Sequence, residues 1–266
     1  MYSGEAKNVT TYFTGKADGY AQHRPSYPET AIRAVLEGLS KPVEVIDVGC
    51  GTGIATRLLA RALSRDGGRI RGIEPNADMR AAAAAFASDP DDALIEYHHG
   101  TAEAMNVDDA SVDLIVAAQA FHWFEADRAL REFRRVLRPG GRLALMWNLR
   151  DATHPAAAEY DDIMQRAQAA AQTAGRATER SHRPDIASTG LFVDATVALF
   201  PHDVMYDRAG LLGRAHSASY YPETGSLRIQ FDDELNSLVN RFSDDGDTVV
   251  IPHVTEVTLA RASTPA

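Results

Sequence analysis

The sequence predicts an α/β chain built on a doubly wound, mostly parallel sheet, and three observations predict it. Short runs of β-branched and apolar residues alternate with longer stretches whose apolar residues recur at helical spacing. One run, 43–48, is short and rich in β-branched residues, and another, 112–118, is almost unbroken in apolar character, as a strand buried on both faces is. The first run closes on Asp47-Val48 and turns through Gly49, Gly51 and Gly53 directly into a helical pattern. Such a rhythm implies right-handed crossovers between parallel strands.

The elements follow in order. The opening stretch to about Pro28 is polar and aromatic, with Tyr12, Phe13, Tyr20, Arg24 and Tyr27 spaced through it. Pro28 suits the start of a helix with Ile32, Val35, Leu36 and Leu39 on one face, and Pro42 stops it. After the strand at 43–48, Ile54, Leu58, Leu59, Ala62 and Leu63 mark one side of a helix that Gly67-Gly68 ends. A second strand is expected at 69–74, a helix at 77–87 whose alanine run favours it, and a third strand at 94–98. The fourth strand, 112–118, precedes a helix with Leu130, Phe133, Val136 and Leu137 inward. Arg138-Pro139-Gly140-Gly141 terminates that helix, and the fifth strand is expected at 143–147. Beyond Arg150 the pattern loosens. A helix is expected at 156–174, a polar loop at 175–184, strands at 191–200 and 248–261, and helical material near 209–217 and 232–242.

Composition excludes several classes of function. A chain of 266 residues can bury one large core with a small appended lobe. A net charge of −10 repels nucleic acid and anionic membranes on average, so neither is an expected partner. Arg131, Arg134, Arg135 and Arg138 lie close together, but Glu125, Asp127 and Glu132 share their helix, which reads as a solvated face. No stretch approaches the roughly 20 apolar residues of a membrane span. The N-terminal residues lack a basic region followed by an apolar run, and Cys50 is the sole cysteine. A cytoplasmic setting is expected, with no disulfide and no structural zinc. His98 and His99 are adjacent and point to opposite faces of a strand, so no metal site is expected there or elsewhere.

The run Val45-Ile46-Asp47-Val48-Gly49-Cys50-Gly51-Thr52-Gly53 carries the most information. The carboxyl edge of a first strand is where open α/β sheets bind nucleotides, and Gly49 and Gly51 let backbone approach a ligand closely. A dinucleotide fingerprint would place a third glycine where Ile54 stands. The acid at Asp47 suits a cationic neighbourhood better than a pyrophosphate, although it could also bond the amides of the turn. Glu74, closing the second strand, is placed to accept ribose hydroxyls. These residues outline a site for a nucleoside without phosphate.

With those residues in place, the chain resembles class I S-adenosylmethionine-dependent methyltransferases. The stretch from Asp47 to Gly53 looks like their first motif and Glu74 like their ribose-binding acid. Phe121-His122-Trp123-Phe124 resembles the type 11 methyltransferase sub-group that includes trans-aconitate methyltransferase-like proteins. The segment from Tyr20 to Pro28 and the run Leu137-Arg138-Pro139-Gly140-Gly141 resemble it too. The likeness covers roughly residues 12–151 well and the rest weakly. It implies a Rossmann-like seven-stranded sheet with an antiparallel last strand and a small, mostly helical lobe. Residues 1–42 would form a helical lid and first helix, 43–150 the cofactor-binding core, and 151–266 the substrate lobe with the last two strands.

The resemblance implies S-adenosyl-L-methionine as cofactor. Its contacts would be Tyr20, Arg24, Asp47, Gly49, Cys50, Gly51, Gly53, Glu74, Pro75 and Met79. Thr101, Ala102 and Glu103 would flank the adenine, and Gln119 and Ala120 would meet the methionine part. Tyr20 and Arg24 could instead pack the first helix onto the sheet. Methyl transfer from a sulfonium chiefly needs alignment and exclusion of water. A base is required only when the acceptor arrives protonated. His122 is the candidate catalytic residue, as a base or as a shaper of the pocket wall. Tyr12, His122, Trp123 and Trp147 are candidates for contact with a small-molecule acceptor, with core packing as the alternative for the tryptophans. Arg176, Arg180, Arg183 and Arg214 could receive an anionic substrate or stand on the surface. The acceptor atom is read as a carboxylate or hydroxyl oxygen, with C- or N-methylation as the alternative. Two rivals are a non-catalytic cofactor-binding protein and a nicotinamide oxidoreductase. The only Tyr-x-x-x-Lys match, Tyr12 to Lys16, precedes the first strand and is misplaced for the latter.

Overall fold

β-Branched runs and glycine turns fold into the sheet that the pattern implies. A computed structural model describes residues 24–64, 67–86, 91, 94–173, 186–218 and 220–264. Seven strands, β1 (Val43–Val48), β2 (Gly68–Ile73), β3 (Ile95–His98), β4 (Val112–Ala118), β5 (Leu137–Arg150), β6 (Phe192–Asp207) and β7 (Thr248–Ala262), form one sheet. Their order is β3-β2-β1-β4-β5-β7-β6. The first five are parallel, and β7 inserts antiparallel between β5 and β6.

Each helix buries the face its apolar residues mark. α1 (Glu29–Leu36) and α2 (Ile54–Leu63) cover one side of the sheet with Ile32, Val35, Leu59 and Leu63. α3 (Ala77–Ala85) begins at Asn76, whose side chain caps the Met79 amide. α4 (Ala126–Val136) covers the other side with Ala129, Leu130, Phe133 and Val136, all buried. Its outer face is charged and paired: Arg128 bonds Glu125, and Arg135 bonds Glu132. α5 (Pro155–Thr173), α6 (Arg208–His216) and α7 (Ser226–Phe242) share a second core with Tyr206, Val249 and Ile251. This helical lobe therefore sits on the ends of β6 and β7 nearest the carboxyl edge of β5. No helix among the described residues is long and apolar enough to cross a membrane.

The boundaries differ most from the expected ones at β5, at β6 and at the start of α7, which begins at Ser226 rather than near residue 232. β5 starts at Leu137, straight out of α4, because Leu137 pairs with Val112 and the next paired residue is Arg142 opposite Leu114. The intervening Arg138-Pro139-Gly140-Gly141 bulges from the strand, and Arg138 forms an ion pair with Asp113. β6 runs through Pro201 to Asp207, where proline and polar residues suggested an end. As the edge strand it needs no amide donor on its outer side, so proline is tolerated.

Candidate active site

Beyond its carboxyl edge, β1 connects towards β2 while β4 connects towards β5, which opens a crevice between the two. The turn after β1 forms one wall. The amides of Gly49 and Cys50 donate to Ile73 O at 2.7 and 3.2 Å, tying the turn to β2. The glycines have different reasons to be bare. A Cβ on Gly49 would meet Ala120 Cβ at 2.7 Å and the Phe124 ring at 3.1 Å, so its space is taken by protein. One on Gly53 would collide with the Tyr97 hydroxyl. Gly51, at φ +56°, has nothing within 4 Å of that position and faces open space.

Asp47 lies under this turn, 1% exposed. Its Oδ2 accepts the Thr56 hydroxyl at 2.6 Å, and its Oδ1 is buried without a partner. Burial, with the nearby Glu74 charge adding to it, pushes its carboxyl up to about 7. The Thr52 hydroxyl is likewise buried and unpartnered. Glu74 reaches back from the end of β2: Oε2 accepts the Gly51 amide at 3.0 Å and Oε1 the Asn76 amide at 2.9 Å. Burial raises its pKa, and those amides oppose the rise. Each oxygen keeps capacity for a further donor. Two crowded acids, two orphaned polar atoms and an open glycine fit a ligand that brings hydroxyl donors and positive charge.

A cavity partly open to solvent extends from the turn past Gln119 and Asn148 to Arg150, Arg214 and His253, with Arg24 also in its wall. Gln119 stands at φ +53°, and its side-chain amide donates to Asn148 O at 3.0 Å. Asn148 joins three segments: Nδ2 donates to Ser26 O at 3.0 Å, and Oδ1 accepts the Thr255 hydroxyl at 2.6 Å. His253, 4% exposed, donates from Nδ1 to Ile251 O at 2.7 Å, and burial brings its pKa down to about 4.

Of the residues expected from sequence, Arg24, Asp47, Gly49, Cys50, Gly51, Gln119 and Arg214 line this cavity. Glu74 touches its wall through Gly51. Cys50 is buried, and burial beside Asp47 and Glu74 holds its thiol well above the usual range. Gly53 packs under Tyr97, and Ala120 against Gly49. Pro75 is half-buried after Glu74, while Met79 is buried with Ala82 and Phe86. Thr101 bridges Ala104, Ala102 is buried, and Glu103 accepts the Glu125 amide at 2.9 Å. His122 and Trp123 are half-buried in a short 3-10 turn with ring centroids 5.2 Å apart, and neither lines the cavity. Trp147, 9% exposed, belongs to the core cluster with Phe121 and Leu145. Tyr12, Tyr20, Arg176, Arg180 and Arg183 lie outside the described residues.

Sequence reasoning missed Thr52, Asn148, Arg150 and His253. A signal for two of them was available. Strand alternation places Asn148 and Arg150 on the face opposite Trp147 and Leu149. His253 carries no such signal, since only the β5–β7 register sets it beside Arg150.

Residues 46–145 match a protein family described as a methyltransferase domain. An uncharacterized methyltransferase of Mycobacterium tuberculosis is 40% identical over 146 residues, covering 54% of this chain and 55% of that protein. A malonyl-acyl-carrier-protein O-methyltransferase of Methylococcus capsulatus is 34% identical over 139 residues, covering 48% of this chain and 45% of that protein. The chain spans about half the length of the curated relatives it matches. A solved structure from Anaeromyxobacter dehalogenans, described as a type II methyltransferase, superposes with a TM-score of 0.63 at 22% identity. It covers 91% of this chain and 99% of that one. Residues 46–145, from β1 into β5, are thus similar to a methyltransferase domain, and the fold is shared with a solved methyltransferase structure.

Proposed function

We propose that the protein transfers a methyl group from S-adenosylmethionine to an oxygen, carboxylate or hydroxyl, of a small-molecule acceptor. The observation that carries this reading is the buried, unpartnered Asp47 Oδ1 beside the open backbone of Gly51 and the carboxylate of Glu74. When bound, the donor supplies a methyl carbon already activated by sulfonium charge. Asp47 and Glu74 offer the negative field that such a cation relieves, and Glu74 takes the ribose hydroxyls on its remaining lone pairs. Ala102 and Glu103 flank the adenine, Gln119 orients the methionine part, and Arg24 takes its carboxylate. An acceptor carboxylate needs no base, and a hydroxyl would need one, the role expected of His122, which stands outside the cavity wall.

The name of the Methylococcus relative specifies methylation on oxygen, which favours that acceptor atom. A net charge of −10 favours a small molecule over nucleic acid or an anionic membrane, and a single cysteine suits the cytoplasm. Calorimetric titration with S-adenosylmethionine, S-adenosylhomocysteine and a nicotinamide dinucleotide tests the reading. The two adenosyl ligands are expected to bind and the dinucleotide not. The reverse result overturns the proposal.

A further inference from the structure

The cavity wall opposes the charge of the protein as a whole. The chain carries a net charge of −10, yet Arg24, Arg150 and Arg214 all line the cavity. Among the described residues lining it, Asp47 is the only carboxylate, and it stands at the glycine-turn end. At the other end Arg150 projects from the last position of β5. Its guanidinium is held by Asp161 of α5 and lies 5.0 Å from the centroid of the Tyr160 ring. Arg214 enters from α6, positioned by a 3.3 Å contact with the Ser217 hydroxyl.

A second, smaller space adjoins this end and shares Arg150, Arg214 and His253 with the first; Tyr160, Tyr206, Leu211 and Ile251 also line it. Tyr160 is 2% exposed and its hydroxyl is buried without a hydrogen-bond partner, leaving a donor to be satisfied. His253 is neutral, with its Nδ1–H already donated to Ile251 O, and adds no positive charge of its own. Two guanidiniums and one orphaned hydroxyl donor converging on a partly apolar space make an oxyanion receptor.

Building on the methyl-transfer reading, we infer that the acceptor carries an anionic carboxylate or phosphate group, which Arg150 and Arg214 seat against the hydroxyl of Tyr160. These three residues select the acceptor.

Benzoate and phenyl phosphate are the probes, with neutral benzamide as control, each titrated calorimetrically into protein saturated with S-adenosylhomocysteine. At least one anion is expected to bind and benzamide not to, and the anion that binds names the group. Arg214→Gln and Tyr160→Phe are each expected to weaken that binding about tenfold or more, as loss of a charge-assisted hydrogen bond does. Affinity for S-adenosylhomocysteine should stay within about twofold. Tyr160→Phe removes a hydroxyl with no protein partner, so its melting temperature should not fall, which keeps the test clear of misfolding. Equal binding of benzamide, binding of neither anion, or full anion affinity in either variant overturns the inference. So does a parallel loss of S-adenosylhomocysteine affinity, which would assign these arginines to the donor. Failure of the unaltered protein to bind S-adenosylhomocysteine is a different result: it overturns the methyl-donor reading, and this inference with it.

Discussion

Glu74 accepts the backbone N–H of Gly51 at 3.0 Å, so the acid that closes β2 braces the turn that follows β1. Its other oxygen holds the Asn76 amide, which sets the start of α3. One side chain thus organises both loops at the glycine-turn end of the crevice. Glu74→Ala is expected to lower affinity for S-adenosylhomocysteine by about 1.5–3 kcal/mol, the worth of hydrogen bonds to a charged group. Glu74→Gln should fall between, since it keeps one acceptor oxygen. Calorimetry measures both, and wild-type affinity in the alanine variant would remove Glu74 from the site.

Substitutions at the turn glycines should separate binding from folding. Gly51→Ala meets no protein atom and costs only about 1–2 kcal/mol for its left-handed backbone. It should fold and fail to bind the donor. Gly49→Ala drives a methyl group into Ala120 and Phe124, so it should lose melting temperature as well as binding. Thermal unfolding beside ligand titration checks the contrast, and a Gly51→Ala protein that binds normally would contradict it.

The raised pKa of Asp47 has a signed consequence. Its carboxyl titrates near 7 in the folded chain and near the ordinary aspartate value of about 3.9 when unfolded. Between those values the folded state holds a proton that the unfolded state has lost. Its contribution to stability is therefore full below about pH 4, declines as pH rises, and levels off above 7, at up to about 1.4 kcal/mol per unit. Urea unfolding at pH 5 and pH 8 should show wild type losing stability relative to Asp47→Asn. Affinity for the ammonium-bearing donor should move the other way, rising with pH as Asp47 ionises. Parallel profiles for the two proteins would refute the assignment.

Asn148 is expected to be worth more than one hydrogen bond. Asn148→Ala releases Ser26 and leaves the buried Thr255 hydroxyl unpaired, a loss of roughly 1–3 kcal/mol. Faster amide hydrogen exchange at residues 26–27 should accompany it. Unchanged exchange would mean that this segment is held from elsewhere.

His122→Ala should leave donor affinity within about twofold and lower kcat, as expected of a group acting on the acceptor. An equal loss in both would make it a residue that shapes the cofactor's place.

The strands at 112–118 and 43–48 were legible residue for residue, the first through its almost unbroken apolar run and the second through its β-branched residues. The acid–glycine turn was legible because a tight turn between strand and helix demands particular residue types, and Glu74 because it closes β2 beside that turn. Gly49 was legible as a turn residue, but its real constraint, contact with Ala120 and Phe124, was not. Strand β6 was underestimated because proline and polar residues are unremarkable on a sheet edge and look like a terminus in sequence. Trp147 drew attention by its size, yet the pleat sends it to the core and its neighbours Asn148 and Arg150 to the cavity.

By itself the sequence determined the alternation of strands and helices and the glycine-turn end of the crevice, since both are written in local residue types and spacing. Only the tertiary structure decided the opposite wall. The antiparallel entry of β7 beside β5 sets His253 against Arg150, and packing of the helical lobe brings Tyr160 and Arg214 to the same space. Those residues are far apart along the chain and share no local pattern. Their meeting is fixed by strand register and by burial of the lobe's apolar faces, neither of which is a property of any short segment.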